Sequence, residues 1–226
     1  MPAWTNTEAH YFRVGEEMFA SMCEELEKAE KFIFLEYFII EEGRMWNTIL
    51  DILARKAKEG LDVRIIYDDV GSIATLPQHY DRYLVSLGIR AVRFNRFIPT
   101  LNTYLNYRNH RKMMIIDGNA GYMGGINLAD EYINEKVRFG YWKDSGVCLE
   151  GEGAWGLTAS FIRMCVNLGG VMHNVGQIVM AMIILHTSQL AYYMAVLMLS
   201  GILFGALTGV SATLVMKHMK HIKWGK

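Results

Sequence analysis

The segment NHRKMMIIDGNAGYMGGIN, residues 109–127, decides how the chain is read. Along an extended strand, side chains two apart share a face, so His110 and Lys112 project together while Arg111 and Met113 point away. A nucleophile and a cation therefore share one surface. Asp117-Gly118-Asn119 is a turn signal, and apolar alternation resumes after it, which predicts a hairpin returning residues 122–127 beside the histidine strand. Gly124 and Gly125 permit close approach to the backbone. Their amides, with Lys112 and the Asn127 side chain, make a set of donors suited to phosphate oxygens.

Upstream, residues 32–40 are almost continuously apolar or aromatic, as in a central strand covered on both faces, and Glu41, Glu42 and Gly43 end the run. Phe34, Tyr37 and Phe38 read as core residues of that strand. Before it, Met18, Phe19, Met22, Leu26 and Ala29 recur at helical spacing within residues 15–31. After it, helical periodicity over 45–58 stops at Gly60, and residues 63–67 form a second apolar strand ending in Asp68 and Asp69. A weaker repeat follows, with a helix over 80–87, Gly88 as its cap and a strand over 89–94. Alternating elements of this kind predict an α/β layered domain, a mixed sheet flanked by helices. Residues 95–109, with Pro99 and several Asn and Tyr, read as a loop leading into the key segment. Downstream, a strand over 143–149 carries Asp144.

The 23 basic and 23 acidic residues balance, but unevenly. No acid follows Arg163, whereas Lys217, Lys220, Lys223 and Lys226 do, so the front of the chain is mildly acidic and its end basic. The front lacks the concentrated basic face of a general nucleic-acid binder, and nucleic acid is not expected as a partner. Cys23, Cys148 and Cys165 are odd in number and sit in apolar stretches, which suits buried thiols in a reducing compartment. Residues 1–7 lack the pattern of a cleavable secretory signal. Residues 164–216 contain no Asp, Glu, Lys or Arg, and two membrane spans are expected near 171–187 and 190–216. The lysines that follow place that end, and with it the front domain, on the cytoplasmic side of a cell membrane. His173, His186, His218 and His221 follow no metal-ligand spacing, and no metal site is expected.

His110, Lys112 and Asp117 fit the HxKxxxxD signature of the phospholipase D superfamily, and Gly124-Gly125-Ile126-Asn127 supplies the Gly-Gly-x-Asn element at the family's usual distance. FLEYFI at 34–39, NLADEYIN at 127–134 and WKD at 142–144 extend this to about residues 6–165, which resemble the first catalytic half of a bacterial cardiolipin synthase. The resemblance implies a phospholipase D-like layered domain with His110 as nucleophile toward a phosphodiester phosphorus, giving a phosphohistidine. A second histidine protonates the departing alcohol, while Lys112, Asn127 and the Gly124-Gly125 backbone bind the phosphate. It implies no cofactor. Asp144 is implied as the carboxylate holding the other imidazole nitrogen, and Asp117 completes the motif, with a structural part given its turn.

Enzymes of that family combine two lobes, each with one motif, and residues 128–226 contain no second His-x-Lys string followed by Asp. The family's two N-terminal membrane helices are likewise not expected ahead of this domain. Three functions stay open. One is a cardiolipin synthase-like phosphatidyltransferase acting on phosphatidylglycerol, completed by a homodimer or a second half-enzyme. The second is a single-motif phosphodiesterase or nuclease active as a homodimer. The third is an inactive, membrane-anchored fragment. Residues 169–222, with Gly176-Gln177, Leu185-His186-Thr187, Tyr192-Tyr193 and the GALTG run at 205–209, resemble a small bacterial membrane family of Gx transporters or heptaprenyl diphosphate synthase component I. That resemblance implies a fused C-terminal transmembrane helix pair.

Overall fold

Apolar runs interrupted by charged turns become the inner strands of one seven-stranded mixed sheet. The computed structural model describes residues 4–97 and 108–166, with positions 199–200, 202–204, 206–207 and 210–211. In chain order the elements are β1 (Thr7–Phe12), α1 (Gly15–Glu27), β2 (Phe32–Tyr37), α2 (Arg44–Lys58), β3 (Asp62–Asp68), α3 (Asp69–Ser72), α4 (Tyr80–Ser86), β4 (Arg90–Phe94), β5 (Met113–Ile116), β6 (Ala120–Gly124), a 3-10 turn (Asp130–Ile133) and β7 (Gly146–Gly151). The sheet runs β1-β7-β6-β5-β2-β3-β4. β2, β3 and β4 are parallel, and β5, β6, β7 and β1 continue from β2 as successive antiparallel pairs.

Alternation along the strands sends Ile33, Leu35, Tyr37, Ile65, Met114, Tyr122 and Cys148 to one face, where they join Met18, Met22 and Leu26 of α1, Trp46, Ile49 and Leu53 of α2, and Leu84 of α4 in one core. Each fully buried large side chain contributes about 1.5–3 kcal/mol relative to exposure. The opposite face buries Phe34, Ile66 and Ile115. Gly121 on that face faces Ala154 and Leu157, and a Cβ there would stand 2.6 Å from the Leu157 side chain. The chain divides into two compact units, Met1–Thr158 and Ala159–Lys226.

Several elements depart from the sequence expectation for identifiable reasons. β2 ends at Tyr37 rather than residue 40 because side chains take over the next backbone donors: Ile39 N donates to Asn127 Oδ1 at 3.0 Å and Ile40 N to Ser72 Oγ at 3.1 Å. β5 begins only at Met113, so His110 and Lys112 lie in the segment ahead of the strand. There the Asn109 amide donates to Asp68 Oδ2 at 3.0 Å and the Arg111 amide to Asn109 Oδ1 at 3.3 Å. β1, absent from the sequence reading, pairs antiparallel with β7, and β7 starts two residues after Asp144. The hairpin turn is as read: Asp117 and Gly118 adopt φ values of 54° and 69°, and Asn119 N donates to Ile116 O at 3.0 Å. Cys148 is buried and Cys23 and Cys165 are partly buried, none of them in a disulfide. The two expected membrane spans lie largely outside the described residues, among which no helix is long and apolar enough to cross a membrane. The expected transmembrane pair therefore gains no support from the fold.

Candidate active site

Strand direction gathers the chemistry at one end of the sheet. β2 and β3 are parallel and end there, β5 starts there opposite the end of β2, and β6 ends where β7 begins. The residues at or just beyond these strand ends, 38–40, 68–69, 109–112, 124–127 and 144, therefore converge.

His110 is exposed, and Lys112 is only 8% exposed. The Lys112 ammonium lies 3.0 Å from His110 Nδ1, 3.2 Å from Nε2 and 2.9 Å from the His110 carbonyl, to which it donates. An ammonium has only donors, so a hydrogen bond to the ring requires a nitrogen with a free lone pair. A ring nitrogen with a free lone pair is also the one that can act as nucleophile. Burial lowers the Lys112 pKa from its ordinary 10.5, and the nearby Asp144 charge pulls it back up. Phe38, expected in the core, is instead half-buried beneath the pair: its ring centroid is 4.6 Å from that of His110, and Lys112 Nζ sits 5.4 Å above it.

Asn127 is 2% exposed and acts as a brace. Its Oδ1 accepts from Ile39 N, and its Nδ2 donates to the Tyr132 hydroxyl at 2.7 Å, fixing the turn that carries Phe38. One N–H of the amide is thus already committed. Gly124 and Gly125 serve close packing within the protein. A Cβ on Gly125 would stand 2.3 Å from Asp144 Oδ1, and one on Gly124 2.6 Å from Ser145 O. The Gly125 amide donates to Ser145 O at 3.3 Å, so it is not a free phosphate donor in this arrangement. The glycine pair lets the carboxylate of Asp144 come close. Asp144 Oδ1 accepts from Ser145 N at 2.8 Å, and among the described residues no hydrogen bond joins it to His110. Its influence on the pair runs through the Lys112 charge.

Asp117 lies elsewhere. Seven residues from His110, at about 3.3 Å per extended residue, place it roughly 20 Å away at the opposite end of β5. Its carboxylate accepts three amides at 2.8 Å each, from Glu30, Lys31 and Phe32, and so anchors the start of β2. It belongs to the scaffold.

Sequence reasoning missed a buried polar set under the site. Asp68, fully buried, accepts from Val70 N and Gly71 N at 3.0 Å, from Asn109 N and from Arg108 Nη1 at 3.3 Å. Asn109 Nδ2 donates to Glu36 Oε1 at 2.6 Å, and Arg111 Nη1 stands 3.6 Å from the same oxygen. Burial raises the Glu36 pKa, the Asn109 bond and the Arg111 charge opposing it. The segment delivering His110 is thereby fastened to β2 and β3. The available signal was Glu36 itself, a charge inside an otherwise apolar run.

Comparisons with known proteins identify the family of the front of the chain. The sequence family described as cardiolipin synthase, PLD-like domain, matches residues 22–137, just over half of the chain. A second family, heptaprenyl diphosphate synthase component I, matches residues 157–215. An uncharacterized protein of Streptococcus mutans is 51% identical over 163 residues, covering 72% of this chain and 35% of that protein. A cardiolipin synthase of Listeria monocytogenes is 38% identical over 157 residues, 70% of this chain and 33% of its own length. The chain thus spans about a third of these relatives. Among solved structures, NucT from Helicobacter pylori shares the fold with a TM-score of 0.51 at 14% identity, over 69% of this chain and 93% of that one.

Proposed function

The chain belongs to the cardiolipin synthase PLD-like domain family, and from that premise we propose that it supplies one half of a phosphatidyltransferase site. The observation that carries the proposal is the His110–Lys112 pair: an exposed imidazole backed by a buried cation at the open end of the sheet. A neutral His110 nitrogen attacks the phosphorus of phosphatidylglycerol, forming a P–N bond as the bond to the glycerol headgroup breaks. The departing oxygen takes a proton from a second histidine, supplied by another copy of the chain or another half-enzyme. The hydroxyl of a second phosphatidylglycerol then returns its proton to that histidine and attacks phosphorus. The P–N bond breaks, yielding cardiolipin and regenerating His110.

Lys112 stabilises charge on the non-bridging oxygens, and Asp144 tunes Lys112 while Gly124 and Gly125 admit it to the site. Asn127 acts by holding Phe38 and Ile39. In this reading the substrate comes from a cell membrane, with the site on its cytoplasmic side. The test is a mixed-micelle assay of the purified full chain with phosphatidylglycerol at concentrations where it dimerises. Formation of cardiolipin and glycerol in equal amounts, abolished by His110→Ala, is the expected result. Absence of both products refutes the assignment.

A further inference from the structure

Residues 136–143, KVRFGYWK, contain no acid, and Val137, Phe139 and Tyr141 among them point outward. Val137 is 80% exposed, Phe139 78% and Tyr141 69%, the largest exposures among the large apolar side chains of the described residues within Met1–Thr158. Exposed apolar groups gathered in one short loop mark an interaction surface.

The loop has a built base. Asn134 closes it, donating from Nδ2 to Trp142 O at 3.0 Å and accepting from Trp142 N at 2.7 Å. Trp142 packs on Tyr132 with ring centroids 5.1 Å apart, and Tyr132 accepts from Asn127, the residue bracing the Phe38 turn. Gly140 at φ 95° turns the tip. The apolar tip is thus tied, through two rings and one amide, to the end of the sheet that carries His110. Its cations are interleaved with the apolar groups. Arg138 pairs with Glu131 at 2.9 Å and also lies 5.3 Å over Phe139, Lys136 pairs with Glu41, and Lys143 is exposed. Glu16 accepts from Asn134 Nδ2 at the base of the loop at 2.8 Å and from the Tyr141 hydroxyl at 3.5 Å.

We propose that the 136–143 loop inserts Val137, Phe139 and Tyr141 into the interfacial layer of a phosphatidylglycerol-containing bilayer, bringing lipid headgroups to the His110 end of the sheet. Aromatic and aliphatic side chains alternating with Arg and Lys suit that layer, the rings entering the acyl boundary while the cations meet lipid phosphates. This rests on the phosphatidyltransferase reading for its choice of lipid, but its test needs no turnover.

An environment-sensitive fluorophore is placed at Phe139→Cys in the full chain carrying Cys23→Ser and Cys165→Ser, leaving buried Cys148, with Tyr83→Cys on α4 as the control. On reconstitution into phosphatidylglycerol vesicles, the label at 139 shifts to the blue and brominated lipid quenches it by about twofold, while the control stays aqueous. Unchanged emission at 139 overturns the proposal. So does a blue shift that appears with protein concentration and without lipid, which assigns the loop to a second copy. Insertion without cardiolipin formation upholds the loop's role and defeats the transferase reading; cardiolipin formation without insertion does the reverse.

Discussion

Replacing Asp117 separates scaffold from chemistry within the signature motif. Its carboxylate accepts three amides at 2.8 Å, and its backbone holds φ at 54°. A hydrogen bond to a charged acceptor contributes about 1.5–3 kcal/mol when buried. The Glu30 and Lys31 amides lie at the surface, where cap-type bonds contribute about 0.5–2 kcal/mol each. Asp117→Ala loses all three and adds about 1 kcal/mol for a side chain without local hydrogen bonding in the left-handed region. The total is about 6 kcal/mol, or about 12–24 °C in Tm for a domain of this size. Asp117→Asn keeps the Oδ1 acceptor for Lys31 and Phe32 and tolerates the positive φ, so it costs about 1 kcal/mol. The assay is urea unfolding of the full chain in detergent, with transfer activity measured per mole of folded protein. A graded loss of stability with unchanged kcat is expected. Wild-type stability with lost kcat refutes the reasoning and returns Asp117 to the reacting groups.

Other outcomes follow from the same geometry. Asn127→Ala leaves the Ile39 amide and the Tyr132 hydroxyl unpaired, at about 1–3 kcal/mol each, and is checked by chemical denaturation. Gly125→Ala drives a methyl into the Asp144 carboxylate, so transfer activity falls at least about tenfold, the effect of a 1.4 kcal/mol rise in barrier, while circular dichroism stays native. For Glu36, burial raises the folded pKa above its ordinary 4.5. The folded state therefore holds that proton more tightly, and the stabilisation is complete below the unfolded value and lost as pH rises through the folded one. Glu36→Gln keeps an acceptor for Asn109 without the charge. Its Tm is expected to gain on wild type as pH rises above the ordinary carboxyl value of 4.5, as read by thermal melts. A difference that stays constant with pH contradicts the burial argument.

The inner strands and α2 were legible because apolar runs of strand length and a 3.6-residue period state burial directly, as in residues 63–67 and 45–58. β1 was not, since Thr7–Phe12 has four exposed residues at its centre and is specified mainly by pairing with β7 some 140 residues later. The closeness of His110 and Lys112 was read correctly from their spacing, although the segment is not a strand: Asp68 and Asn109 capture the backbone donors a ladder would use. Those anchors act across 41 residues for Asp68 to Asn109 and 73 for Asn109 to Glu36, a pairing no local pattern encodes. The Gly124-Gly125 pair was legible as close approach but not as approach to Asp144, because its neighbour is fixed only when β6 and β7 come into register.

The central claim is that His110 becomes covalently bonded to phosphorus. The full chain, incubated with phosphatidylglycerol carrying radiolabelled phosphate, is quenched in alkali, in which a phosphohistidine survives, and then digested and sequenced. The account predicts one labelled peptide, containing His110, with released glycerol in matching amount and neither in His110→Ala. Cardiolipin formation by His110→Ala, or label on any other residue, contradicts it.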